Sequence, residues 1–194
     1  MNTRTELSPS AQRITKVAQN LVKEFGYNGF SFEHIAKKVG MRKASVHYHF
    51  ASKADLGVAV VQTYTHEFEN ALQNILTTAK SAPQRLTAYA DLFESTFANQ
   101  HHLCLCGMLS AESNSLDTAV KQEVNHFFQL NMTWLTFAVQ EGVDSGSLKK
   151  VNDAHAVAQT CLSMLEGSML VGRCLSAPMG PRHMMDLYLG LLGA

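Results

Sequence analysis

"SFEHIAKKVGMRKASVHYHFASKADL", residues 31–56, contains two short segments with helical apolar spacing on either side of a turn marked by a glycine. Ser31 suits the cap before the first segment, and Phe32, Ile35, Ala36 and Val39 fall on one face, so the spacing predicts a helix that stops at Gly40. The second segment, "KASVHYHF", needs only Val46 and Phe50, four residues apart, to anchor it to a core. Arg42, Lys43, Ser45, His47, Tyr48 and His49 are then directed elsewhere. Two short helices around a glycine turn, the second carrying cations and hydrogen-bonding groups, have the dimensions of a helix-turn-helix. Lysine and arginine suit phosphates and guanine edges, serine and histidine suit base edges, and the small Ala44 permits close approach to a thymine methyl. A merely solvated surface helix has the same composition, so the surrounding sequence has to decide.

Outward from this stretch the charge is uneven. The 194-residue chain balances sixteen Lys+Arg against sixteen Asp+Glu, a formal net charge of zero. Residues 1–50 hold eight cations, Arg4 among them, against three acids including Glu6, a net +5, while the remainder holds eight against thirteen, a net −5. A basic N-terminal quarter on an acidic body fits a polyanion-binding head joined to a different kind of module. The N-terminus "MNTRTELSPS" has no apolar signal stretch, and no segment reaches the roughly 18 uninterrupted apolar residues of a membrane span. The expected location is the cytoplasm, with no membrane partner, and Cys104, Cys106, Cys161 and Cys174 are expected there as thiols.

Four prolines, no alternating strand pattern and repeated 3.6-residue periodicity predict an all-α chain of about nine helices. Ser8 and Pro9 open the first helix, which buries Ile14, Val17, Ala18, Leu21, Val22 and Phe25 and ends at Gly26. Ser52 to Asp55 form a capped first turn for a long helix to about Ala79. Further helices are expected from Pro83 to about Asn99, briefly after Gly107, from Leu116 to about Asp144, from a cap at Asp153, and over the final "RHMMDLYLGLL". Pro178, Gly180 and Pro181 separate the last two.

Residues 31–61 resemble the DNA-binding signature of the TetR family of transcriptional repressors, with matching positions at Ser31, Ile35, Ala36, Gly40, Lys43, Ala44, Ser45, Tyr48, Phe50, Ser52, Lys53 and Leu56. The resemblance implies an N-terminal three-helix helix-turn-helix DNA-binding domain, residues 1–53, and a helical ligand-binding and dimerisation domain, residues 54–194. It further implies a homodimer on a palindromic double-stranded operator, a small-molecule effector that moves the fourth helix and releases DNA, and no catalysis. Lys53, Tyr48, His47 and Ser31 are then expected at phosphates, and Arg42, Lys43, Ala44 and Ser45 at base edges. His47 departs from the family's more usual tyrosine, and Arg42 from its small polar residue.

The resemblance also implies dimerisation through the last two helices. Ala154, Val157, Ala158, Cys161, Leu162, Leu165, Ser168, Met169 and Gly172 form the apolar stripe expected at that interface, with Leu187, Leu191 and Leu192 as a second edge, and Cys161 and Cys174 as interface packing. A largely apolar effector cavity is expected among the middle helices, with Phe93, Phe97, Met108, Phe127, Met132, Trp134, Phe137 and Met164 as candidate walls. Glu112 and Asn131, with Asn114, His126 and Arg173, are its candidate polar anchors.

Rival chemistries start from "HHLCLCGMLSAE", residues 101–112. Cys106, directly before Gly107, is placed near a helix start where a thiolate is favoured, so Cys104 and Cys106 carry an alternative reading as an electrophile- or oxidant-sensing repressor. His101, His102, Cys104 and Cys106 are ligand types, but their spacing is awkward for a tetrahedral metal site. A helical-bundle metalloenzyme needs two Glu-x-x-His pairs, and Glu123 to His126 supplies one. With no nucleophile elbow, phosphate-cradling loop or HExxH, neither a cofactor nor a metal is expected.

Overall fold

A computed structural model describes residues 7–175 and 179–194; Arg4, Glu6 and Pro178 lie outside the described residues. Within these, the chain is all-helical, with α1 (Pro9–Phe25), α2 (Phe32–Val39), α3 (Lys43–His49), α4 (Lys53–Thr78), α5 (Ala82–Phe97), α6 (Leu105–Ala111), α7 (Thr118–Asp144), α8 (Ala154–Gly172) and α9 (Pro181–Leu192). A 3-10 turn, Ser113–Ser115, follows α6.

The starts and stops have local causes. Ser8 Oγ accepts from the Ala11 N–H at 3.3 Å, and Pro9 occupies the first turn of α1, where its missing N–H costs nothing. Gly40 ends α2 in the left-handed region, φ +73°, where a Cβ would be strained. Ser52 and Asp55 satisfy each other's backbone at the start of α4: Ser52 Oγ accepts from Asp55 N–H at 3.0 Å and Asp55 Oδ2 accepts from Ser52 N–H at 2.9 Å. Asp153 caps α8 by accepting from the His155 and Ala156 N–H groups.

Ile14, Ala18, Leu21 and Val22 of α1 meet Ile35 and Val39 of α2, Val46 of α3 and Leu56 of α4 in one buried cluster that continues into the body. Phe25, expected inside, is 53% exposed. It is the last residue of α1. The body is dominated by α7 against α8, α5 against α9 and α4 against α7. Because α4 also packs on α1, it is the long element shared by head and body.

The apolar stripe assigned to dimer contact requires correction. Ala158, Cys161, Leu165 and Met169 are fully buried within the chain, Leu162 and Gly172 nearly so, and Leu192, the last residue of α9, is also buried. This face of α8 covers α7, α9 and α5 of its own chain. The apolar residues left in solvent are on the opposite sides: Leu170, Val171 and Leu175 at the end of α8, Met179, and Leu187 and Leu191 of α9, with Leu191 77% exposed. A helix apolar on two faces gives no sequence signal for which face turns inward. Cys161 accordingly belongs to the core, while Cys174 is exposed.

Candidate nucleic-acid interface and buried effector region

The α2–turn–α3 unit holds its reading face outward by burying little. Val46 and Phe50 are inside, while Arg42, Lys43, Ala44, Ser45, His47 and Tyr48 are exposed, Tyr48 to 86%. Arg42 occupies the cap position of α3, and its carbonyl accepts the Ser45 and Val46 N–H groups. The His47 ring rests on Phe32, centroids 4.7 Å apart, and Tyr48 meets His49 edge-on at 5.3 Å. Ser10, Met41, Arg42, Ala44, Ser45, Tyr48 and His49 line one open concavity. The structure thus brings Arg42, Ala44, Ser45 and Tyr48 together and adds Ser10 of α1, which the motif could not reveal because it lies outside it.

Two expected phosphate contacts have other partners in the free chain. Lys53 Nζ donates to the Phe30 carbonyl at 2.6 Å and sits over the Tyr27 and Phe30 rings, at 4.8 and 4.4 Å from their centroids. Burial lowers its pKa, with Glu112 opposing. Ser31 is exposed at the α2 cap, and its N–H donates to His34 Nδ1 at 3.3 Å.

Glu112, at the end of α6, faces the head. Its Oε1 accepts from the Tyr27 N–H at 3.0 Å, and its Oε2 accepts from the Asn28 N–H at 2.9 Å and Asn28 Nδ2 at 2.6 Å. Asn28 Nδ2 also donates to Ser115 Oγ at 2.7 Å. Gly26, φ +78°, lets the carboxylate in, since a Cβ there would collide with Oε1. This clamp joins the α1–α2 loop to α6.

In the body, aromatic rings from three helices interlock. Tyr64 and Phe68 of α4, Tyr89 and Phe93 of α5, and Phe127 and Trp134 of α7 are in mutual contact, with Phe68 and Phe127 5.2 Å apart and Tyr89 stacked on Trp134 at 5.3 Å and 17°. Phe93, Phe127 and Trp134 are therefore gathered in one cluster. Phe97 is buried at its edge against His101, and Met108 and Met164 are partly buried on the same core. Asn131 is buried and satisfied, accepting from Tyr89 Oη at 2.7 Å and donating to the Phe127 carbonyl at 2.8 Å. Asn114, His126 and Arg173 are exposed.

The sequence reading missed Glu166 of α8. Its Oε1 is out of solvent contact with no hydrogen-bond partner, burial lifts its carboxyl to about 7, and a Cβ on Gly107 would collide with its other oxygen. The available signal was a lone acid within the apolar run "LSMLEGSML". Its neighbour Cys104 caps α6, and Tyr64 Oη lies 3.8 Å from the Cys104 sulfur. Burial, reinforced by Glu166, pushes the Cys104 thiol well up; burial, then Cys104 and Glu166, does the same to Cys106. The thiolate expected at the helix start is disfavoured, because both thiols are buried beside an acid. Among the described residues, no group of three or more His, Cys, Asp or Glu could hold a metal ion, and no helix is long and apolar enough to cross a membrane.

A helix-turn-helix unit joined by a long shared helix to a helical body defines the class of DNA-binding transcriptional regulators. Residues 14–60 match the family described as bacterial regulatory proteins, tetR family, and residues 82–187 match the tetracyclin repressor-like C-terminal domain; the chain belongs to the TetR family. A TetR-family transcriptional regulator from Agrobacterium tumefaciens is similar in structure, 30% identical, with TM-score 0.85 over 95% of this chain and 96% of that one. The HTH-type transcriptional repressor DhaR of Mycobacterium sp. (strain GP1) is 24% identical over 164 residues, 84% of this chain and 82% of its own. The regulator FadR from Bacillus subtilis, solved with stearoyl-CoA, shares the fold at 18% identity, with TM-score 0.75 over 93% of this chain and 96% of that one.

Proposed function

We propose that the chain is a homodimeric, effector-released repressor that reads a palindromic operator in the cytoplasm. Residues 1–53 form the reading head and residues 54–194 the effector-binding and dimerising body. The observation that carries this reading is the outward set Arg42, Lys43, Ala44, Ser45, His47 and Tyr48 on a helix anchored by Val46 and Phe50. The repressor sense is supported by the likeness to DhaR, and the effector by the stearoyl-CoA held by the B. subtilis neighbour.

Dimerisation is supported by the apolar residues exposed on α8 and α9. Leu170, Val171, Leu187 and Leu191 lie beside Gly167 and Gly190, where a Cβ would meet nothing within 4 Å. Open glycines among exposed leucines let two copies of the helix pair approach closely about a twofold axis. That axis sets two copies of α3 on successive major grooves, about 34 to 36 Å or a multiple apart. An effector that prefers the non-binding arrangement by a few kcal/mol then empties the operator.

The test is a gel shift and footprint on the DNA upstream of the chain's own gene. Arg42→Ala and Ser45→Ala are each expected to lose about 1–3 kcal/mol at one operator position and relax preference there, and Arg42→Ala to reduce the salt slope by about one. A footprint that neither replacement changes would refute the assignment. Lys53→Ala is a poorer probe, because it also removes the bond to the Phe30 carbonyl.

A further inference from the structure

Glu166 is a dry acid among rings. The residue keeps some exposed surface, but Oε1 has none and no hydrogen-bond partner among the described residues. The donor facing the carboxyl is the Cys104 thiol, a weak one. Lys23, the basic side chain nearby on α1, stands over the Tyr64 ring at 5.0 Å instead of pairing with the acid. With its carboxyl at about 7, the group is divided between acid and anion at neutral pH. A cation beside it draws it wholly to the anion.

The walls have matching chemistry. Tyr64 Oη lies 3.8 Å from the Cys104 sulfur that faces the carboxyl, which sets the acid near the Tyr64 edge of the cluster that this ring forms with Phe68, Phe127, Tyr89 and Trp134. The faces of such rings attract cations. Trp134 supplies the complement of the acid: its Nε1 is a buried donor without an acceptor. This acceptor and this donor are two of the buried polar atoms that the described residues leave without a partner, and both belong to the surroundings of one aromatic cluster.

We propose that Glu166 anchors the effector, and that the effector presents a cationic nitrogen, a protonated amine or a quaternary ammonium, to the rings of Tyr64, Phe68, Tyr89, Phe127 and Trp134. This rests on the effector-released reading above and names the ligand class. A carboxylate or phosphate in the same place meets like charge. Glu166 is a binding residue here, and the cost of leaving it unpaired in the empty chain is recovered when the cation arrives.

The experiment follows thermal unfolding and calorimetric binding of the full chain with phenethylamine, 2-phenylethanol and phenylacetate, a cation, a neutral and an anion on one skeleton, and with benzyltrimethylammonium. Both cations are expected to raise the melting temperature and to bind more tightly than the alcohol or the acid. Glu166→Gln is expected to weaken phenethylamine about thirtyfold or more, to the level of the alcohol. The same variant, free of ligand, is expected to melt higher than the parent, because a dry anion is gone. Should Glu166→Gln not fold, Glu166→Met, similar in length and uncharged, gives the same readout. Lack of discrimination among the four probes, including no shift by any, overturns the proposal, as does a Glu166 variant that keeps the cation preference. Gel shifts of the same samples without ligand separate the two ideas: failure to bind duplex removes the regulator, whereas charge discrimination is read by melting alone.

Discussion

In the head, Arg42, Lys43, Ser45 and Tyr48 stand in water above a small anchor of Val46 and Phe50; in the body, Glu166 and Trp134 keep polar atoms out of water with nothing to satisfy them. The first arrangement costs the fold little, since exposed polar groups remain hydrated until DNA displaces the water. The second is a standing penalty on the empty chain.

Three measurements break or sharpen this contrast. The largest effect is expected for Phe127→Ala, which removes a fully buried ring in contact with Tyr64, Phe68 and Phe128. A filled core loses about 3–5 kcal/mol there, on the order of 10 °C in melting temperature for a chain of this size. A loss below about 1 kcal/mol would mean that the ring borders open space. Next is the pH dependence. The Glu166 carboxyl titrates at about 7 in the folded chain against 4.5 ordinarily, so between these values the folded chain holds a proton that the unfolded chain has released. Stability therefore falls as pH rises through that window, by roughly 3 kcal/mol in all, and Glu166→Gln should remove this slope when melting is compared at pH 5 and pH 8. The same slope in parent and variant would assign the titration to another group. Smallest is Glu112→Ala, which removes the acceptor of the part-buried Tyr27 N–H and the exposed Asn28 N–H at a cost of about 1 kcal/mol. Hydrogen exchange at these two amides should accelerate while the body amides stay protected, and a uniform change would show that head and body open together.

The same contrast explains what could be read from the sequence. The helices declared themselves through Ser8, Ser31, Ser52 and Asp153 at their starts and Gly26 and Gly40 at their stops, because capping is a local matter of one side chain and one turn. The anchor pair Val46 and Phe50 was equally local. Which side of α8 faces inward was not, since Leu165 and Leu170 are the same residue type and only the packing of α7 and α9 distinguishes them. The partner of Glu112 lies 84 residues away at Asn28, and Glu166 meets Gly107 across 59 residues, separations at which periodicity carries no information.

The seven residues of α6 make a rod about 10 Å long, too short to bend. Gly107 rests on the Glu166 carboxylate, and Glu112, just past the other end, grips the loop that follows α1. One short helix therefore spans the distance between the only acid buried in the α8 apolar run and the loop that leads into the reading helices, so the two neighbourhoods share a single rigid spacer.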